Sequence, residues 1–355
     1  MLFNNKALTK TWTIIAIAMI ALIFFSIGYM IANLYSTPIN QSIQTSNMTI
    51  IDSSGKYITL NVPVKRIVIL TSDAAIAIKL LNASNAIVGV SDVVAKYPTL
   101  FKELSNLTNV GKWQSPDYET IVKLKPEVVI SYTRWPGSEL EEKLEPMGIK
   151  VVRLDLYIPS TMTQELKILG ILLGKEKEAE KICKWINDLE KLISDRLSKI
   201  KEEDKIRSYL ETYTSWSVAG PGSGLYDLAI KAGLKPIGEF TIPYPKVSAE
   251  WVIKQNPDFI VKAVTVNPID ATIEDYEIVK SDVINRLNIT NAVKNNRIII
   301  LPGRLAYNPS YPIAVLCIAK SAYPSLFNDL DPKVLLQQYL SFLGLELKGI
   351  WWYPW

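Results

Sequence analysis

The chain has 355 residues, 48% of them hydrophobic, and its 39 basic and 35 acidic side chains leave a net charge of +4. Charges so nearly balanced and so evenly spread carry no nucleic-acid footprint, and the length suits two modest cores. Histidine is absent, which removes a Ser-His-Asp triad, imidazole acid–base chemistry and any zinc or haem site that needs a histidine ligand.

Taken in chain order, the first feature is an uncharged apolar run between Lys10 and Tyr35, preceded by Lys6 and Lys10. It is long enough to cross a bilayer as a helix, and the basic flank places the rest of the chain outside. It is long for a signal-peptide core and no convincing Ala-x-Ala site follows, so an uncleaved anchor over residues 11–35 is expected, with 1–10 cytoplasmic; a cleaved signal is the competing reading. Residues 36–48 are polar, carry Pro38 and read as a tether. No cysteine follows the run to take a lipid. The two that occur, Cys183 and Cys317, fall in amphipathic helical stretches, as buried thiols do at least as readily as a disulfide pair. Asn40, Asn47, Asn82, Asn106 and Asn288 begin glycosylation sequons at about chance frequency, which permits surface glycans without arguing for them.

Met48 to Val62 predicts a hairpin turning at Ser53, Ser54 and Gly55. Strand and helix then alternate: strand Ile67 to Leu70, a helix from Ala74 capped by Asp73, strand Ile87 to Val90, a helix from Pro116, strand Val128 to Tyr132, a helix from Glu139, strand Val151 to Leu154. From Ser160 to Glu203 comes a helical spine with a break at Gly174. Ile182, Ile186, Leu189, Ile193, Leu197 and Ile200 mark one buried face at spacings of three and four, and Ser160 or Thr161 is placed to cap the start. At ~1.5 Å per residue its second part reaches ~40 Å. Alternation resumes with strand Ile206 to Tyr213, a Gly-rich loop from Ala219 to Gly224, a helix from Leu225, another at Glu250, strand Phe259 to Val264, a helix from about Ser281, strand Arg297 to Leu301 and two closing helices. The Gly-rich loop lacks both the Walker lysine and the dinucleotide spacing. The terminal Trp351-Trp352-Tyr353-Pro354-Trp355 reads as aromatics covering one end of the second half, ahead of membrane-surface contact.

A gap-free internal repeat ties the halves together. Glu119 to Ile130 matches Glu250 to Val261, each with an acidic helix start, a proline seven residues on (Pro126, Pro257), an acidic residue and a buried strand. The fold expected is α/β, with a lobe at 49–159, a connecting backbone helix at 160–203 and a lobe at 204–355, both with mainly parallel sheets, preceded by the transmembrane helix. In open α/β sheets ligands bind beyond the carboxyl ends of the strands. The loops there carry Tyr97, Trp113, Arg134 and Trp135 in the first lobe and Trp216, Tyr244 and Arg304 in the second. Such residues suit stacking on a bulky ligand and neutralising its anionic groups; the same tryptophans serve equally as core, and the same arginines as solvated charges. Glu119 and Glu250 either favour the positive ends of their helices or form a two-pronged docking device for a basic partner. No nucleophile–base pair or metal cluster emerges, so no catalytic residue, protein-held metal or cofactor is expected.

The segments Ile87-Val-Gly-Val-Ser-Asp, Tyr97-Pro98, Val110-Gly-Lys-Trp-Gln, Glu119 through Ile130, Gly148-Ile-Lys-Val-Val, Leu169 to Gly174, Tyr244-Pro245-Lys-Val-Ser-Ala-Glu250 and Val293 to Ile299 together resemble the helical-backbone (class III) substrate-binding proteins of ABC importers, which capture cobalamin, ferric siderophores or haem. The resemblance covers about Met48 to Tyr323. It implies that Glu119 and Glu250 pair with arginines on the two halves of a permease dimer with its ATPase subunits, and that lobe movements are small. Trp113 and Tyr244 match aromatic positions of its cobalamin binders, which favours a corrinoid over a ferric siderophore, with haem and oxyanion binders of the same family as alternatives. With no histidine, any metal arrives in its own chelator. The reading from another class is an extracytoplasmic enzyme on the same architecture.

Overall fold

The computed structural model describes residues 45–354. The expected anchor at 11–35, its cytoplasmic flank and most of the tether lie outside the described residues, and among the described residues no helix is long and apolar enough to cross a membrane.

The expected hairpin forms from β1 (Ser46–Ile51) and β2 (Tyr57–Val62), antiparallel, with Gly55 at φ +85° in the turn. The first lobe is a five-stranded sheet of β3 (Ile67–Ile69), β4 (Ile87–Val90), β5 (Thr108–Asn109), β8 (Val128–Ser131) and β9 (Lys150–Arg153), in the order β5-β4-β3-β8-β9 and parallel throughout. A small antiparallel ladder, β6 (Gly111–Lys112) with β7 (Ser115–Pro116), stands beside it. The second lobe is a parallel sheet of β10 (Arg207–Glu211), β11 (Lys235–Pro236), β12 (Phe259–Val264) and β13 (Ile298–Pro302), ordered β11-β10-β12-β13. Apolar residues run continuously along the central strands because both sheet faces are covered. In the first lobe Ile67, Ile69, Val128 and Ile130 face one core, while Val68, Val129 and Val151 face another under the helices Tyr118–Leu124 and Glu139–Leu144.

The spine is two helices, Met162–Leu173 and Glu176–Leu197, divided by Gly174 in the left-handed region at φ +63°. Thr161 occupies the cap position, but its hydroxyl does not cap; Ser160 instead donates to Asp227 at 2.7 Å. The second helix has 22 residues, hence ~33 Å, shorter than the ~40 Å expected because the chain leaves the helix at Ser198. Its buried stripe, Ile182, Ile186, Leu189, Ile193 and Leu197, joins a core that also holds Ile67 and Ile130 of the first sheet and Leu210, Phe259 and Ile299 of the second. The spine is therefore packed into both lobes at once. Cys183 and Cys317 lie in that core as free thiols.

The repeat is reproduced in three dimensions. Helices Tyr118–Leu124 and Ala249–Gln255 are capped by Asp117 and Ser248, whose side chains accept from Thr120 N and Trp251 N, and each ends on a left-handed residue, Lys125 (φ +48°) or Asn256 (φ +44°). The helix expected from Pro116 starts two residues later, at Tyr118, because Ser115 and Pro116 pair in the small ladder and Asp117 takes the cap. The helix expected from Ser281 begins earlier, at Ile273, where Thr272 and Asp275 form a capping box. At the other end of the chain Tyr353 bridges Ile300 antiparallel and stacks on Tyr276, with ring centroids 6.3 Å apart. Trp351 and Trp352 are buried with it. Trp351, Trp352 and Tyr353 thus cover the β13 edge of the second lobe.

Candidate ligand-binding cleft

The loops at the carboxyl ends of the strands of both lobes enclose a cavity of about 680 Å³. From the first lobe come Ser72 and Asp73 after β3, Tyr97 after β4, Trp113 in the turn between β6 and β7, Tyr132 and Trp135 after β8, and Tyr157 after β9; from the second come residues 212–214 and Ser217 after β10, Tyr244, Thr265 after β12, and Gly303, Arg304 and Tyr307 after β13. Three helices begin at the cavity, Ser72–Leu80, Gly224–Lys231 and Gly303–Ala306. In the two longer ones the first N–H groups have no partner within their own helix, although Thr71 caps Ala74 N in the first.

Two buried ion clusters aim these loops. Arg153, 4% exposed, donates to the carbonyls of Tyr132 (2.8 Å), Pro136 (2.7 Å) and Gly137 (2.9 Å) and to Glu141, fixing the segment that carries Tyr132 and Trp135. Asp155 holds the same segment by accepting from Thr133 N at 2.8 Å and Thr133 Oγ1 at 2.9 Å. In the second lobe Glu211 is fully buried and accepts from Arg286 Nη1 (3.0 Å) and Nη2 (2.8 Å), Tyr209 Oη (3.0 Å) and Trp216 N (2.9 Å), with Lys262 Nζ at 3.1 Å. Burial works against its charge, yet these bonds and the two cations outweigh it and keep its pKa below the usual carboxylate value. Lys262 also donates to the Thr212 carbonyl at 2.7 Å, which pins the start of the 212–217 loop.

The walls are aromatic. Trp113 meets Tyr132 and Trp135 edge-on at 5.5 and 6.3 Å, Tyr132 meets Tyr157 at 5.3 Å, and Tyr213 meets Tyr307 at 5.8 Å. Loss of hydration pushes up the phenol pKa values of Tyr132, Tyr157, Tyr213, Tyr244 and Tyr307, so each remains a protonated donor. The lobes meet beside the cavity, where the Arg304 guanidinium lies 4.1 Å from the Tyr97 ring centroid. Gly224 lets the lobes approach this closely, since a Cβ there would sit 2.8 Å from the Tyr157 carbonyl oxygen. The acid among the lining residues is Asp73, whose carboxylate accepts from the Tyr132 hydroxyl. Burial raises its pKa to about 6, against the lowering effects of that hydrogen bond and of Arg304.

Of the residues the sequence singled out, Tyr97, Trp113, Trp135, Tyr244 and Arg304 meet in the cavity. Arg134 is exposed and outside the lining, close enough for its charge to act on Tyr157 and Tyr244. Trp216 is not in the lining either: its left-handed backbone (φ +64°) turns the ring back under Arg286, whose guanidinium lies 4.6 Å from the ring centroid. Glu119 and Glu250 are exposed in the first turns of the two repeated helices. Sequence reasoning missed Asp73, Tyr157 and Tyr213 as wall residues. Each lies within a few residues of a strand's carboxyl end, the signal that found the others.

The periplasmic binding protein family model matches residues 67–305, most of both lobes. The chain belongs to that family. Periplasmic binding proteins are receptors rather than catalysts, so the enzyme reading falls away. The chain is 24% identical to the molybdate-binding protein MolA of Haemophilus influenzae over 327 residues, 82% of this chain and 89% of that one. The solved structure of MolA with molybdate bound superposes with a TM-score of 0.73 at 22% identity, covering 85% of this chain and 99% of the other. A TroA-like periplasmic binding protein, FepB, from Veillonella parvula gives a TM-score of 0.72 at 22% identity, covering 86% and 99%. The vitamin B12-binding protein of Salmonella paratyphi A is 26% identical over 176 residues, 48% of this chain and 64% of that one.

Proposed function

We propose that this family member is the extracytoplasmic substrate-binding protein of an ABC importer, tethered to the membrane by residues 11–35, and that it captures a metal chelate between its lobes, a corrinoid first and a ferric siderophore next. Glu119 and Glu250 are the docking carboxylates for the permease dimer, held at a fixed separation by a spine packed into both lobes. The observation that carries the reading is the cavity itself: about 680 Å³, walled by aromatic rings and phenolic donors, with Arg304 opposite them. At ~30 Å³ per water that space holds roughly twenty waters, far more than a bare oxyanion displaces. A corrinoid exceeds the volume, so one edge of its macrocycle seats inside and the rest stays at the cleft mouth once the Tyr97–Arg304 contact parts. An oxyanion is the second reading, favoured by the relationship to a molybdate-binding protein along most of the chain and by the two longer helix starts at the cavity.

The test is thermal unfolding with cobamides, ferric siderophores, haem, molybdate and tungstate in turn. A ligand at ~100 times its Kd adds ~2.7 kcal/mol. With an unfolding entropy of ~2.1 cal/mol/K per residue over the folded part, this raises Tm by about 4 °C. A shift with molybdate and none with any chelate would replace the first reading by the second.

A further inference from the structure

We propose that Asp73 determines which ligands the cleft accepts: its buried carboxylate, facing Arg304 across the cavity, selects molecules that present a hydrogen-bond donor such as an amide beside an anionic group, and works against small, fully ionised oxyanions. This rests on the ligand-capture reading above and names the chemistry of its substrate.

Asp73 is the second residue of the helix Ser72–Leu80, where an acid commonly serves as a cap. Here that task belongs to Thr71, whose hydroxyl oxygen accepts from Ala74 N at 3.2 Å. Asp73 is therefore not needed to start the helix, yet it is 8% exposed, lines the cavity and is held by the Tyr132 hydroxyl. The charges acting on it are Arg304 from the second lobe and Asp155 beyond the end of β9, and Lys96, paired with Asp92 at 3.2 Å, is the other cation of the lining; the titratable phenols around it are Tyr132, Tyr157, Tyr213 and, on the closing helix, Tyr339. A carboxylate so placed only accepts hydrogen bonds, whereas the phenols around it both donate and accept. An anionic group on the ligand is drawn to Arg304. Lys96 is already paired with Asp92, so a second full charge on a small ligand held at Arg304 lies near Asp73, where low hydration makes like-charge repulsion costly. Corrinoids carry peripheral amides and one phosphodiester, which matches the Asp73 acceptor beside the Arg304 cation; molybdate carries two charges and no donor. Because burial lifts Asp73 to about 6, oxyanion affinity should rise as pH falls through that value.

The experiment titrates the full chain, in mild detergent, with cyanocobalamin and with sodium molybdate. Asp73→Asn replaces an acceptor-only group with one that offers a donor, so cyanocobalamin affinity should fall and molybdate affinity rise, each by at least ~10-fold. Molybdate affinity of the unaltered protein should climb between pH 7 and 5, and that slope should vanish in Asp73→Asn. Tyr132→Phe keeps the carboxylate but removes the bond that favours its charged form, so the midpoint should move to higher pH, and this arm stands if Asp73→Asn does not fold. Equal effects of Asp73→Asn on both probes, or a flat pH profile in the unaltered protein, overturns the proposal. If the unaltered protein binds neither probe, the proposal falls together with the chelate reading; a probe that binds both forms alike sinks the proposal alone.

Discussion

Replacing Arg286 by methionine tests whether the cluster around Glu211 holds the second lobe's binding loop. The Glu211 carboxylate is fully buried, and Arg286 supplies both arms of a bidentate pair at 3.0 and 2.8 Å, leaving Lys262 at 3.1 Å as the other cation. Removing one partner of a buried ion pair strands the other charge and costs ~3–5 kcal/mol. At ~2.1 cal/mol/K per residue over roughly 310 folded residues the unfolding entropy is ~0.65 kcal/mol/K, so Tm should fall by about 5–8 °C. The loss should be pH-dependent. Glu211 has a folded-state pKa below its unfolded one, so its contribution is present above the unfolded carboxylate value and disappears as pH falls through the folded value. The penalty of Arg286→Met should therefore shrink on acidification. Calorimetry between pH 3 and 7 reads both effects, and Glu211→Gln combined with Arg286→Met should recover part of the loss by removing the stranded charge. A Tm drop under about 2 °C at neutral pH, or a double variant no better than the single one, would show that Lys262 and the backbone satisfy Glu211 alone.

The remaining expectations are simpler. Asp73 is the opposite case: its folded pKa of about 6 lies above the ordinary aspartate value of ~4, so the folded state binds more protons and stability declines as pH rises from about 4 to 6; Asp73→Asn should flatten that decline by ~3 kcal/mol in urea unfolding. Reversing charge at both Glu119 and Glu250 should abolish uptake in cells while leaving ligand affinity unchanged, and lost affinity would count against a docking role. Trp351→Ala should cost ~3–5 kcal/mol, because the ring is 3% exposed and its Nε1 donates to the Lys348 carbonyl at 2.9 Å; unchanged stability with weakened liposome binding would restore the membrane-contact reading.

The repeat made much of the fold legible. A helix of seven residues, a proline and a buried strand recur with identical spacing, and the two copies share even the left-handed residue before the proline. Five of the seven ligand-binding candidates reach the cavity because a loop after a parallel strand can hardly point elsewhere. Trp216 obeyed that placement rule and still turned away, since its direction is set by Arg286 on a helix whose first two turns carried no strong periodic signal. Asp73 was hidden for the contrary reason: a local rule, acid at a helix start, explained it too well, and only Thr71, two residues earlier, shows that the rule was already satisfied.

One apolar core runs from the first sheet through the spine to the second. A sensor built on this protein would gain little from fluorophores attached to opposite lobes, because two bodies sharing a close-packed interior hardly change their separation. Its usable signal lies at Trp113 and Trp135, where arrival of a ligand replaces water around indole rings that already line the cavity. Occupancy here is best read as a change of local polarity.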